Sequence, residues 1–195
     1  LESALQNVSD SSGWESLEYE DKLRMCVQSL GNDALGQMIC AQMPSVYALE
    51  AHMHDFHREL LSVPFPYVID FNIHDLAQAA LKVLGQAHRC LSSDHDLVLR
   101  PDQLDGERTV IKVRGDCWHG SAALTIEDIL SRLDENPSLT AFMRQIMSEG
   151  PVFIYGFSPR SSILRLMHQK LGPFSGTTTM ATRIDSVLWR QHWNA

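Results

Sequence analysis

The sequence predicts an α+β fold, and three observations carry that expectation. Apolar residues between positions 14 and 62 recur at spacings of three and four, as on amphipathic helices. Beyond residue 63, short runs rich in β-branched and aromatic residues (VPFPYVIDF, RTVIKV, PVFIYG) alternate with helical patterns. The 195 residues, 44% of them hydrophobic, suffice for one good core or for a helical lobe beside a compact mixed lobe. The expected organisation is a flexible arm over 1–13, a helical lobe over 14–62, and a mixed α/β lobe over 63–195 with a short sheet and packed helices.

Each element has its own signal. The opening LESALQNVSDSSG is polar and Ser-rich, which favours a loose arm. Leu23, Cys26, Val27 and Leu30 form one helical stripe, stopped by Gly31. Asp33 can cap a second helix carrying Leu35, Met38 and Ile39, which Pro44 breaks. Ser45 then caps a third, with Val46, Leu49, Met53, Phe56 and Leu60 on its buried face. The prolines of VPFPYVIDF favour extended chain. Asn72 is the expected cap of a helix burying Ile73, Leu76, Ala77, Ala80, Leu81 and Leu84. SSDHD at 92–96 reads as a polar break, and LVLR with RTVIKV, joined through Asp-Gly, as a hairpin. Thr125 with Glu127 and Asp128 starts a helix, Asn136-Pro137 starts another, and Gly150 ends it. PVFIYG reads as a buried strand and Ser158-Pro159 as the start of a helix reaching Lys170. SGTTT reads as a loop, and IDSVLWRQHW as a last helix.

Bulk charge narrows the function classes. A net charge of −8, with only 16 Lys and Arg, disfavours a nucleic-acid binder, which needs a basic face. No apolar run is long enough to span a bilayer and no signal-peptide pattern is present. The four cysteines (Cys26, Cys40, Cys90 and Cys117) are far apart and form no CxxC pair. Free thiols in the cytoplasm or another reducing compartment are expected. A chain opening on Leu1 is expected to be a processed or excised piece of a longer one.

The segment VRGDCWHGSAAL, 113–124, holds the most specific chemistry. A thiol becomes a nucleophile when its pKa falls, as beside an imidazolium or at a helix N-terminus. GDCWHGSAALTIEDI resembles the active-site segment of papain-like cysteine peptidases, in which Gly-x-Cys-Trp-x-x-small-small opens the central helix. Gly115, Cys117, Trp118, Ser121 and Ala122 match that pattern. The likeness spans about a dozen residues, and in chain length the protein is more similar to the compact leader-type peptidases of some viruses than to full papain. The resemblance implies a hydrolase with Cys117 as nucleophile, His168 as base, and Asp185 or Asn194 orienting the imidazole. It implies a peptide or protein substrate and no cofactor. The family places an oxyanion-donating Gln six residues before the Cys; here Ile111 occupies that position. Thr125 competes with Cys117 as the start of the following helix. The plain alternative is a buried structural cysteine beside a core tryptophan.

Three further readings stand beside this one. Glu50, His54 and His57 share a helix face and can ligate a metal, although Met53, Phe56 and Leu60 define the buried side and turn that face to solvent. Ser158, Arg160, Ser161 and Ser162, at a strand-to-helix turn, can hold a phosphate or carboxylate; they carry a faint likeness to phosphosugar isomerases and to the initiation-factor 2B family. A non-enzymatic interaction module, binding another protein or further copies of itself, suits the acidic surface and the eight methionines. A metal-dependent nuclease needs an acid two residues before its strand lysine, and Val110 stands there before Lys112, so that idea is set aside.

Overall fold

In the first of two compact units, Leu1–Asn136 and Pro137–Ala195, the organising element is a short parallel sheet. The computed structural model describes residues 14, 17, 19–42, 55–99, 106–115, 122–157, 161–173 and 178–181. Strands β1 (Tyr67–Asp70), β2 (His88–Leu91) and β3 (Arg108–Lys112) lie in the order β1-β3-β2. Both pairings are parallel, with Tyr67 opposite Thr109, Asp70 opposite Lys112 and Leu91 opposite Ile111. Parallel strands cannot be joined by a tight turn, so each link is a crossover. Helix α4 (Leu76–Val83) carries the chain from β1 past β3 to β2, and α5 (Asp94–Leu99) returns it to β3. The central strand is buried along its whole length, which is why RTVIK reads as an almost unbroken run of β-formers.

The helices before the sheet complete this unit. Helix α1 (Tyr19–Leu30) presents Leu23 and Cys26 inward. Gly31, at φ +82°, permits the sharp turn into α2 (Asn32–Gln42), whose Leu35 is buried. These three residues form a cluster with Leu124, against which Ile73 and Ala122 also pack. Ile73 follows β1 and Leu124 follows β3, so the two helices belong with the carboxyl end of the sheet. Arg24 adds an exposed ion pair to Glu127 at 3.0 Å. Helix α3 (Asp55–Ser62) contributes Leu61 to a second cluster with Ala80, Leu81 and Val110 on the sheet face. Helix α6 (Ile126–Glu135) starts in a full capping box: Asp128 N–H donates to Thr125 Oγ1, and Thr125 N–H donates to the Asp128 carboxylate.

The second unit is a β-α-β crossover with one extra helix. Pro137 occupies the first position of α7 (Pro137–Glu149), where its missing N–H costs nothing. Strand β4 (Val152–Tyr155) leads through α8 (Ser162–Leu171) to β5 (Thr178–Ala181), and the two strands pair in parallel. Leu139, Met143 and Met147 of α7 are buried, as are Leu164, Leu166, Met167 and Leu171 of α8, and the two helices pack on one another.

The α+β class holds, with eight helices and two small sheets among the described residues. Three local expectations do not. Residues 94–99 are helix and β3 is a parallel strand, so the expected hairpin does not form. Thr178 and Thr179 belong to a strand, not to a loop. Asn72 does not cap α4, which starts at Leu76 after Asp75. The helical segment also shares a core with Ile73 and Leu124. Among the described residues, no helix is long and apolar enough to cross a membrane.

Candidate functional site

The carboxyl ends of β1 and β3 meet at a buried ion pair. Register places Asp70 opposite Lys112, and the Lys112 ammonium lies 3.0 Å from Asp70 Oδ2. Lys112 is 0% exposed and Asp70 5%. An ammonium is tolerated there only because its donors are all used. Besides Asp70, Lys112 Nζ donates to the carbonyls of Asn72 at 2.7 Å and His74 at 2.6 Å. Asp75 Oδ1 stands 3.9 Å away. Asp70 Oδ1 accepts from both the backbone N–H and the side-chain amide of Asn72, each at 2.9 Å. With three acceptors on three donors, Lys112 has no lone pair or proton to offer a substrate. It pins residues 71–75 to the end of the central strand.

His74 is the titratable group held by this lock. Its Nδ1 accepts from the Leu76 backbone N–H at 3.3 Å. Burial lowers its pKa, against the opposing pull of Asp70; Lys112 lowers it further and Asp75 raises it. The half-buried ring is therefore held towards its neutral form.

Immediately beyond β3 the chain enters the segment that carries Cys117. Gly115, buried and at φ +69°, closes a turn in which its N–H donates to the Lys112 carbonyl at 3.1 Å. Arg114 ties the far end back. Ala123 N–H donates to the Arg114 carbonyl at 2.8 Å, Arg114 Nε donates to the Ala123 carbonyl at 2.8 Å, and Arg114 Nη2 donates to the Leu124 carbonyl. Arg114 and Ala123–Leu124 are thus held together at the carboxyl end of the central strand. Open parallel sheets place their ligands outside the carboxyl ends of their strands.

Cys117, Asp185, Asn194, Ser158, Arg160, Glu50 and His54 lie outside the described residues. His168 is exposed in the last turn of α8, in the second unit. Ser161 caps α8 without a side-chain hydrogen bond, and Ser162 is its first residue. His57 lies on α3. Among the described residues, no group of three His, Cys, Asp or Glu is arranged to hold a metal. The helix after the motif begins at Ile126, and Ala122–Leu124 are not helical. Ile111 is fully buried in β3 and carries no polar side-chain atom. Of the other thiols, burial pushes Cys26 up, while Cys90 is exposed on β2, 3.6 Å from Gln78 Nε2. No protein-family model matches the chain, and no curated protein matches it.

Sequence reasoning missed Asp70, Asn72, His74 and Asp75. A local window around Lys112 contains no partner for it, because that partner comes from a strand 42 residues earlier. One signal was available: a lysine in the middle of a β-branched run must find a counter-charge, and DFNIHD is the acidic segment that ends another strand.

Proposed function

We propose that the chain is a cysteine hydrolase acting on a peptide or protein, with Cys117 as nucleophile. The observation that supports this most is the tie at Arg114, which brings both ends of 115–122 to the carboxyl end of the central parallel strand. The likeness of Gly115, Cys117, Trp118, Ser121 and Ala122 to papain-like peptidases supports the same role.

The test is competitive alkylation. The protein is treated with iodoacetamide at pH 6 and adducts are mapped on all four cysteines. Exposed Cys90 is the internal reference, and buried Cys26 lags. An activated Cys117 labels more than about tenfold faster than Cys90. Equal or slower labelling refutes the proposal.

A further inference from the structure

We propose that Arg108 binds a small aliphatic carboxylate at the amino edge of the parallel sheet, a site that does not depend on the hydrolase reading. Arg108 opens the central strand β3 and is 5% exposed. A buried guanidinium ordinarily meets a carboxylate or fills its five N–H donors. This one makes a single hydrogen bond, from Nη1 to the Leu61 carbonyl in the last turn of α3. Among the described residues no carboxylate bonds to it, its chain neighbour Glu107 included. The residues around it offer no substitute. Strand pairing sets His88 beside it on β2, where Nδ1 meets the Gln86 carbonyl at 3.1 Å. Val110, on the same face of β3, packs with Leu61, Ala80 and Leu81. Burial pulls the Arg108 pKa down, as for a cation whose lost hydration has not been replaced.

With Nη1 committed to Leu61, the Nε–Nη2 edge is left, and its two parallel N–H bonds match the two oxygens of a carboxylate. That edge is not sealed off. Among the described residues, the buried side-chain atoms that lack a partner are Asn32 Oδ1 and Gln78 Oε1, and no Arg108 nitrogen is with them. Apolar residues stand at the same edge of the sheet, because α3 leads into β1 and α4 into β2. Val63, 45% exposed, follows Leu61 by two residues, and Val83, 49% exposed, ends α4, which packs against α3. The carbonyls at these two helix ends favour a cation and oppose a bare anion. The ligand is therefore selected by the paired N–H fork and by apolar contact with a short tail, not by diffuse charge.

The intact chain is titrated with sodium butyrate at constant ionic strength, and the assigned Arg108 Nε–H signal is followed by proton–nitrogen NMR. The signal is expected to move and to saturate with a midpoint on the order of a few millimolar. Butyramide, which has the same shape and no charge, is expected to leave it unmoved. Arg108→Lys keeps a positive charge and a donor for Leu61 but loses the fork, and is expected to bind carbon-13-labelled butyrate at least about tenfold more weakly. Circular dichroism reports whether that variant keeps the fold; if it does not, the contrast between butyrate and butyramide in the parent chain decides. The absence of a saturable shift up to about 50 mM butyrate overturns the inference. An equal response to butyramide overturns it too, as does undiminished butyrate binding by folded Arg108→Lys.

Discussion

Replacing Lys112 with Met keeps the length and apolar stem of the side chain and removes only the ammonium. The variant leaves Asp70, 5% exposed, without its counter-charge, and removes the donor shared by the Asn72 and His74 carbonyls. Breaking a buried pair by deleting one partner costs about 3–5 kcal/mol. Asp70 keeps its two hydrogen bonds from Asn72, and water can reach the exposed Asn72 backbone, so the lower half of that range is expected. With a urea slope of about 2 kcal/mol/M, about 3–4 kcal/mol lowers the unfolding midpoint by about 1.5–2 M. Because the chain has two units, the reading should be local: amide exchange in the β3 peptide during urea titration reports the first unit directly. Adding Asp70→Asn removes the stranded charge and should recover at least half of the loss. A Lys112→Met variant within about 1 kcal/mol of the parent would refute the claim that this pair locks the carboxyl edge.

Two further outcomes follow from the caps and carboxylates of the first unit. Thr125→Ala removes the acceptor of the Asp128 N–H and should cost about 1 kcal/mol in thermal or urea unfolding; no change would mean that water replaces the cap. At Asp96, burial pushes the carboxyl up, but the N–H and O–H groups of Ser92 and Ser93 outweigh it, and the net pKa is lowered. A folded pKa below the unfolded value gives stability that is complete above about pH 4 and is lost as pH falls through the folded value. Asp96→Asn should therefore lower stability at pH 7 and flatten the acid limb of a stability-versus-pH curve; an unchanged acid limb would contradict the assignment.

What the sequence discloses is what local pattern encodes. Thr125 with Asp128 and Asn136-Pro137 appear as read, because caps are decided within a few residues; PVFIYG is a strand as read, but Phe153 and Tyr155 on it are exposed rather than buried. HRCL is a strand with no such mark: two of its four residues are charged or imidazole-bearing, and only its pairing with β3 makes it β. SSDHD looks like a break because it is polar, yet α5 starts within it at Asp94, and Asp96 in its first turn accepts from Ser92 and Ser93. The parallel sense of β3 depends on β1, more than 35 residues earlier, which no window reveals. The same limit hid the site. The Cys117 motif is a local pattern of neighbours, whereas the Asp70–Lys112 lock and His74 come together only through strand register.

The account turns on the ionisation of one thiol, and its pH–rate profile measures that directly. Iodoacetamide alkylation of Cys117 is followed from pH 4 to pH 9 in the intact chain, with Cys90 as the exposed reference. The Cys117 profile is predicted to rise well below the ordinary thiol range, with a midpoint under about pH 7 and ahead of Cys90. Coincident profiles for the two cysteines, or a Cys117 that stays unlabelled while the protein is folded, would contradict it.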